Sequence, residues 1–451
     1  MKNKAIKAFF EPDSIAIVGA SRDPGKAGYL ILKNLLEAGY KGKIFPINPK
    51  VQKILGIKSY PSIENISDEI DLCVIVVPSE IIPQILNQCG KKRVKSAVII
   101  SGGFRETGKE GEELEKTLVK IINDTGIRVI GPNCIGVDNP HIGMSMWVGV
   151  KKRGSISIMS QSGLIGTAIE CWAEKENIGI SKCISLGNKI DVNEVELLEY
   201  FDDDPDTDTI VIYVEGIEQG REFMKVAKKV SKNKPIVILK GGKTEKGIKA
   251  ASSHTRALSG KTEILEAAFR QSGIIIAENL EELYDYAKAL SFMPPPKGRG
   301  ILVITSSGGA GILATDLIDS LGLELPQISK IIEERLRETL PKHCIFDNPF
   351  DLTVTTSDKF QLVMEENIND DRIHAFLPIF ADPLPQAAEA VKNIVDKTDK
   401  PIVVCYVGGA EIEDSEKVKM HSMRIPVFSS PERAVTAINA LVKRKELLNS
   451  G

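Results

Sequence analysis

The stretch Ser155-Ile-Ser-Ile-Met-Ser-Gln-Ser-Gly-Leu-Ile-Gly-Thr-Ala168 decides how this chain folds. Ser155–Met159 is a short β-branched run, Ser160–Gly163 is a turn of small polar residues, and a helical stretch follows. A buried strand that turns on glycine straight into a helix opens a parallel βαβ unit. The same order occurs at Ser14–Val18, followed by Gly19-Ala-Ser21 and Gly28, and again at Ile301–Ala314, whose turn reads Thr-Ser-Ser-Gly-Gly-Ala-Gly. The second and third stretches match closely enough to point to an internal duplication.

Working outward, apolar runs at Lys43–Ile47, Asp71–Val77, Ser96–Ser101, Thr209–Val214, Pro235–Lys240 and Pro401–Tyr406 alternate with amphipathic stretches. Continuous apolar strands separated by helices need cover on both faces, as in parallel sheets. The expected fold class is α/β, with three Rossmann- or flavodoxin-like doubly wound domains and mainly parallel sheets. Trp147–Gly154 is a polar, glycine-bounded crossing, and Met293-Pro-Pro-Pro-Lys-Gly-Arg-Gly300 cannot continue a helix. The expected division is a Rossmann-like domain at 1–130, a flavodoxin-like domain at 131–297, and a second flavodoxin-like domain at 298–451 that serves subunit contact.

At 451 residues and 42% hydrophobic content the chain has material for about three ordinary cores. A net charge of −3, with no basic arm, gives no electrostatic case for nucleic acid. The opening residues lack the apolar core of a signal peptide, and no apolar run reaches the length of a membrane span. The seven cysteines have neither C-x-x-C spacing nor a dense framework, so they read as buried thiols in a reducing, cytoplasmic setting. No acidic cluster reads as a metal site: the Asp202–Asp208 run reads as a solvated turn.

Ligands of doubly wound sheets bind beyond the carboxyl ends of the strands. In the first module Gly19 and Gly28 let a backbone approach a pyrophosphate at a helix N-terminus, with Ala20, Ser21 and Lys26 in the same loop. The second strand ends in Asn48-Pro49-Lys50, where an NAD enzyme places an acid on the ribose hydroxyls. A cation there suits an extra ribose phosphate, as on coenzyme A or NADP. Val77-Pro78 and Ser101-Gly102 close two later strands along the same ligand path.

In the second module Ser160, Gln161, Ser162 and Gly163 offer amides and hydroxyls to an anion at a helix N-terminus, or an ordinary cap. Glu215 and Glu218 follow an apolar strand. Ala250-Ala-Ser-Ser-His-Thr-Arg-Ala-Leu-Ser-Gly260 sets His254, one of five histidines, among small residues in an expected loop. A carboxylate accepting Nδ1–H would fix its tautomer and leave Nε2 free as a nucleophile. Anion cradle, orienting carboxylate and accessible histidine together fit a histidine that takes up a phosphoryl group.

These residues resemble the α subunit of ADP-forming acyl-CoA (acetyl-CoA) synthetases, relatives of succinyl-CoA synthetase. The resemblance spans the chain and rests on I-A-I-V-G-A-S, G-P-N-C-I-G (Gly131–Gly136), S-Q-S-G (Ser160–Gly163), S-H-T-R-A-L-S-G and N-P-F-D-L-T (Asn348–Thr353). It implies coenzyme A in the first domain, phosphorylation of His254, and Glu215 as its orienting carboxylate, with Glu218 a second candidate. It further implies attack of phosphate on the thioester near Asn133 and Gln161. An ATP-grasp β subunit, in an α₂β₂ assembly, would bring ADP or ATP and Mg²⁺. The loop Ser21–Lys26 departs from the glycine loop of succinyl-type chains. Two competing readings are a coenzyme-A-sensing module without catalysis and an NADP-dependent oxidoreductase.

Overall fold

The computed structural model describes residues 2–255, 262–353 and 355–450, and for 2–4, 251–255 and 450 the backbone alone. Three sheets carry the architecture, with a two-stranded hairpin, Lys53–Ile54 with Ile57–Lys58, beside them. The first sheet runs, in spatial order, Lys43–Ile47, Ser14–Val18, Leu72–Ile75, Ser96–Ile99 and Arg128–Ile130, all parallel. The second runs Ile275–Ile276, Ile236–Lys240, Thr209–Val214, Arg153–Ser160 and Ile180–Ser185, with Val137–Asp138 antiparallel at its edge. The third runs Phe350–Asp351, Ile301–Thr305, Ala375–Phe380, Val404–Tyr406 and Val427–Phe428.

Counted by chain position, the parallel strands of each sheet lie in the order second, first, third, fourth, fifth. This is the flavodoxin-like order, and it puts a reversal between the first and third strands. A crevice therefore opens three times at the same topological place: after Val18, after Ser160 and after Thr305. The internal duplication read from Ser155–Ala168 and Ile301–Ala314 has this common order as its structural counterpart.

By contacts, the chain divides into two compact units. Residues 1–175 and 179–276 form one, with the first two sheets; residues 176–178 and 277–451 form the other, with the third. In the first unit the strand residues Ile156, Ile158, Ile210, Ile212, Ile236 and Ile238 have no exposed surface. Each such side chain contributes about 1.5–3 kcal/mol by leaving water.

The Asp202–Asp208 run is a solvated turn only in part: Asp203 and Asp208 are exposed, but Asp204 is not. Asp204 is 5% exposed and takes Lys182 Nζ on both oxygens at 2.8 and 2.7 Å, and the Lys182 ammonium is itself fully buried. A buried lysine needs a paired carboxylate, and the run supplies one. Six cysteines are buried and unbridged as expected, whereas Cys171 is exposed on its helix.

Candidate functional site

The first crevice is built by glycines. Gly19 has φ +92°, and a Cβ there would sit 2.1 Å from the Val76 carbonyl oxygen; one on Gly28 would sit 2.2 Å from the Gly19 oxygen. Only glycine lets the first strand, its turn and the following helix close this tightly. The helix Ala27–Ala38 has Lys26 at its N-cap with no side-chain hydrogen bond, leaving its first amides to an outside acceptor. A cleft of about 540 Å³ lies over it, lined by Gly19, Ala20, Ser21, Lys26, Gly28, Asn48, Val77, Pro78 and Ser101 among others.

A second cleft of about 300 Å³ continues past Asn48 and Pro49 between Ile63, Ile81, Gln84 and Gln88. Asn48 joins the strands: its Nδ2 donates to the Ala20 carbonyl at 2.8 Å, and its Oδ1 accepts from the Lys50 amide at 2.9 Å. Lys50 is exposed and lines neither cleft, and Gly102 lies beside Asn133, not in the cleft wall. Gln84 and Gln88 escaped the sequence reading. Their i, i+4 spacing looks like any solvated helix face, and only the fold sets it along a cleft, with Gln84 exposed and Gln88 half-buried.

The Gly131–Gly136 loop connects this cleft to the second sheet. Asn133, at φ +60°, donates its amide to the Ser101 carbonyl at 3.0 Å. The Asn188 amide donates to the Pro132 carbonyl at 2.9 Å, and its side chain donates to Glu106 and Glu115 at 2.8 Å each.

At the second crevice the Ser160 hydroxyl donates to the Ser162 carbonyl at 2.5 Å, just before the helix Gly163–Lys175. In the matching turn of the other unit Thr305 takes the place of Ser160 and donates likewise to the Ser307 carbonyl at 2.9 Å, while Ser307 caps the helix Gly308–Ser320 by accepting from the Ala310 amide at 3.5 Å. Gln161, 4% exposed, accepts at Oε1 from the Glu215 amide at 2.8 Å and the Gly216 amide at 3.4 Å. Its Nε2 is buried with no hydrogen-bond partner, as is Oε2 of the 9%-exposed Glu215. An orphan donor and an orphan acceptor, tied together through one amide, are costly unless a ligand completes them. An anion suits the first and an N–H group the second. Glu218 is exposed and lines a separate cavity of about 120 Å³ with Lys189 and Glu194.

Two buried lysines here carried no sequence signal. Lys189 Nζ donates to Glu194 Oε1 at 2.6 Å and the Gly216 carbonyl at 2.8 Å. Lys240, 2% exposed, donates to the carbonyls of Gly241 and Gly242. Burial pulls its pKa down, opposed by the charge of Glu215 and reinforced by that of Lys243.

His254 lies on a helix, Glu245–Thr255, not in the loop expected for it. Thr244 starts that helix, its Oγ1 accepting from the Gly247 amide at 3.1 Å, and the lysines, glutamate and alanines that follow are good helix formers. Ser252, Ser253 and Thr255, taken as loop chemistry, lie in its last turn. The helix passes the short turn Arg105–Thr107. Arg256–Gly260, the rest of the block, lies outside the described residues. Among the described residues no group of three or more His, Cys, Asp or Glu side chains is placed to hold a metal, and no helix is long and apolar enough to cross a membrane.

A glycine-built cleft beside a flavodoxin-like sheet with an unfinished anion site suits a nucleotide-bearing ligand and an anion, and comparison with known proteins gives the class, an acid–thiol ligase chain. Residues 13–140 match the CoA binding domain, 153–290 the succinyl-CoA ligase like flavodoxin domain, and 301–445 the Ligase-CoA domain. The α subunit of acetate–CoA ligase [ADP-forming] I of Pyrococcus furiosus is 39% identical, over 97% of both chains. The acetate–CoA ligase [ADP-forming] of Methanocaldococcus jannaschii is 41% identical over 97% of this chain and 63% of its own length. The dinucleotide-forming acetyl-coenzyme A synthetase 1 of Ca. Korarchaeum cryptofilum, solved with phosphate and ADP, superposes with a TM-score of 0.91 at 37% identity, over 99% of this chain and 98% of that one. This chain belongs to the family of α subunits of ADP-forming acetate–CoA ligases.

Proposed function

We propose that this chain, with a partner subunit, interconverts acyl-CoA, ADP and phosphate with free acid, ATP and coenzyme A. Coenzyme A would occupy the Gly19–Ser101 cleft, its pyrophosphate at the uncapped helix Ala27–Ala38 and its ribose 3′-phosphate within reach of Lys50. A phosphate oxygen attacks the thioester carbonyl near Asn133 and Gln161, and the coenzyme A thiolate leaves. His254 Nε2 then attacks phosphorus of the acyl phosphate, the carboxylate leaves, and the phosphoryl group passes to ADP. Glu215 accepts Nδ1–H of His254, and its burial beside Gln161 favours it over the exposed Glu218. Phosphoryl transfer of this kind is mainly positioning and charge stabilisation.

The carrying observation is the pair of buried, unpartnered atoms, Gln161 Nε2 and Glu215 Oε2, at the second crevice. The ADP site and its Mg²⁺ belong in this reading to an ATP-grasp β subunit in an α₂β₂, cytoplasmic assembly. Residues 1–130 act as the coenzyme A domain, 131–297 as the phosphohistidine domain and 298–451 as the subunit-contact domain; three family matches, to 13–140, 153–290 and 301–445, support a three-part chain. The test is to incubate the assembled enzyme with acyl-CoA and labelled phosphate. Acid-labile, base-stable label should appear on this chain and vanish in His254→Ala; label that persists there overturns the assignment.

A further inference from the structure

Resting on that reading of Glu215, we infer that Lys189 is a positioning residue for phosphohistidine formation, acting through the backbone that carries Glu215. The Glu215–Gly216 segment is gripped from two sides. Gln161 Oε1 accepts its two amides at 2.8 and 3.4 Å, and Lys189 Nζ donates to the Gly216 carbonyl at 2.8 Å. Glu215 Oε2 has no hydrogen bond of its own, so no partner holds that oxygen in place, and the gripped backbone sets where the carboxylate starts from.

The lysine is itself tightly set. Its side chain is 3% exposed, it pairs with Glu194 Oε1 at 2.6 Å, and its backbone stands at φ +56°. A buried ion pair is a poor source of net stability compared with apolar packing, because both charges must leave water. What the ammonium supplies and an apolar side chain lacks is a donor for the Gly216 carbonyl. Lys189 also belongs to the loop that holds Gly131–Asn133: the Asn188 amide donates to the Pro132 carbonyl at 2.9 Å and the Ile190 amide to the Gly131 carbonyl at 3.3 Å. One loop therefore fixes the thioester-side asparagine and the histidine-side carboxylate together.

Removing Lys189 alone would strand the buried Glu194, so the informative variant is Lys189→Met with Glu194→Gln. It is compared with Glu194→Gln alone and with Glu215→Gln, all in the assembled enzyme and all checked by thermal unfolding. Glu194→Gln takes the counter-charge from Lys189 but leaves it an amide oxygen in place of the Glu194 carboxylate, and its bond to Gly216, so this variant controls for loss of the ion pair and should form phosphohistidine within about twofold of the parent rate. The double variant should be slower by about tenfold or more, with coenzyme A affinity unchanged. Placed on the Glu215→Gln background, the same two changes should cost no further rate, because they act through that carboxylate. Multiplying losses, a parental rate in the double variant, or Glu194→Gln alone being equally slow overturns the inference and leaves the ligase reading standing. A Glu215→Gln enzyme at full rate removes both the role of Glu215 and this inference. No phosphohistidine in the parent enzyme refutes the ligase reading itself.

Discussion

Replacing Gln161 with leucine separates a functional amide from a structural one. The site is 4% exposed, and leucine fills similar volume while removing both polar atoms. Losing Oε1 strands the Glu215 amide, now bonded at 2.8 Å; the Gly216 contact, at 3.4 Å, is already long. A buried donor left unpaired costs about 1–3 kcal/mol. Losing Nε2 removes a donor that is itself unpaired in the resting protein, which returns about 1–3 kcal/mol. The two nearly cancel, so unfolding should shift by no more than a few degrees. Turnover has no such compensation. If Nε2 donates to the attacking or transferring phosphate, its loss forfeits a charge-assisted hydrogen bond of about 1.5–3 kcal/mol. At 1.36 kcal/mol per decade that is about 10- to 150-fold in the rate of phosphohistidine formation. Calorimetry of the isolated chain and rapid-quench labelling of the assembled enzyme measure the two quantities. A strongly lowered melting temperature with an unchanged labelling rate would refute the reasoning, because Gln161 would then be a loop staple only.

Gly19→Ala should cost coenzyme A binding by titration calorimetry. Its Cβ meets the Val76 carbonyl at 2.1 Å, and the positive φ alone adds about 1–2 kcal/mol for a non-glycine residue; an unchanged Kd counts against the cleft. Lys50→Ala should weaken coenzyme A more than 3′-dephospho-coenzyme A, and equal losses would remove the 3′-phosphate contact. In the other unit His421 is buried, with a pKa pulled down to about 4 by burial and by Lys288, against an ordinary value of 6.5. The unfolded chain takes the proton first. The contribution, about 3 kcal/mol, is therefore complete above pH 6.5 and is lost as pH falls towards 4. His421→Leu should show a shallower loss of stability over that window in denaturant titrations, and identical slopes would dismiss the assignment.

The glycine turns were legible because their chemistry is local: Val18-Gly-Ala-Ser and Ser160-Gln-Ser-Gly announce a strand, a turn and a helix within a few residues. The cleft residues Gly19 through Ser101 followed from placing those turns at strand ends. What the sequence hid is whatever depends on facing. Glu215 and Glu218 differ by three positions in one loop, and nothing in I-Y-V-E-G-I-E says that the first is buried and the second exposed. Lys182, Lys189 and Lys240 look like surface residues until the fold supplies Asp204, Glu194 and the carbonyls of Gly216, Gly241 and Gly242. The helix under His254 was missed because Ser252-Ser253 and Thr255 read as turn chemistry, although the alanines and lysines before them carry the helix onward.

The touching of Gly28 and Gly19 limits how this sequence can drift. Both obstructing groups are main-chain carbonyls, Val76 for one glycine and Gly19 for the other. A clash against a side chain can be relieved by trimming that side chain elsewhere, so two linked changes can open a path to a new residue. A clash against main chain has no such partner mutation. Positions 19 and 28 are thus closed to stepwise exploration, singly or as a pair. Variation in ligand preference has to enter through the side chains around them, at Ser21, Lys26, Gln84 and Gln88.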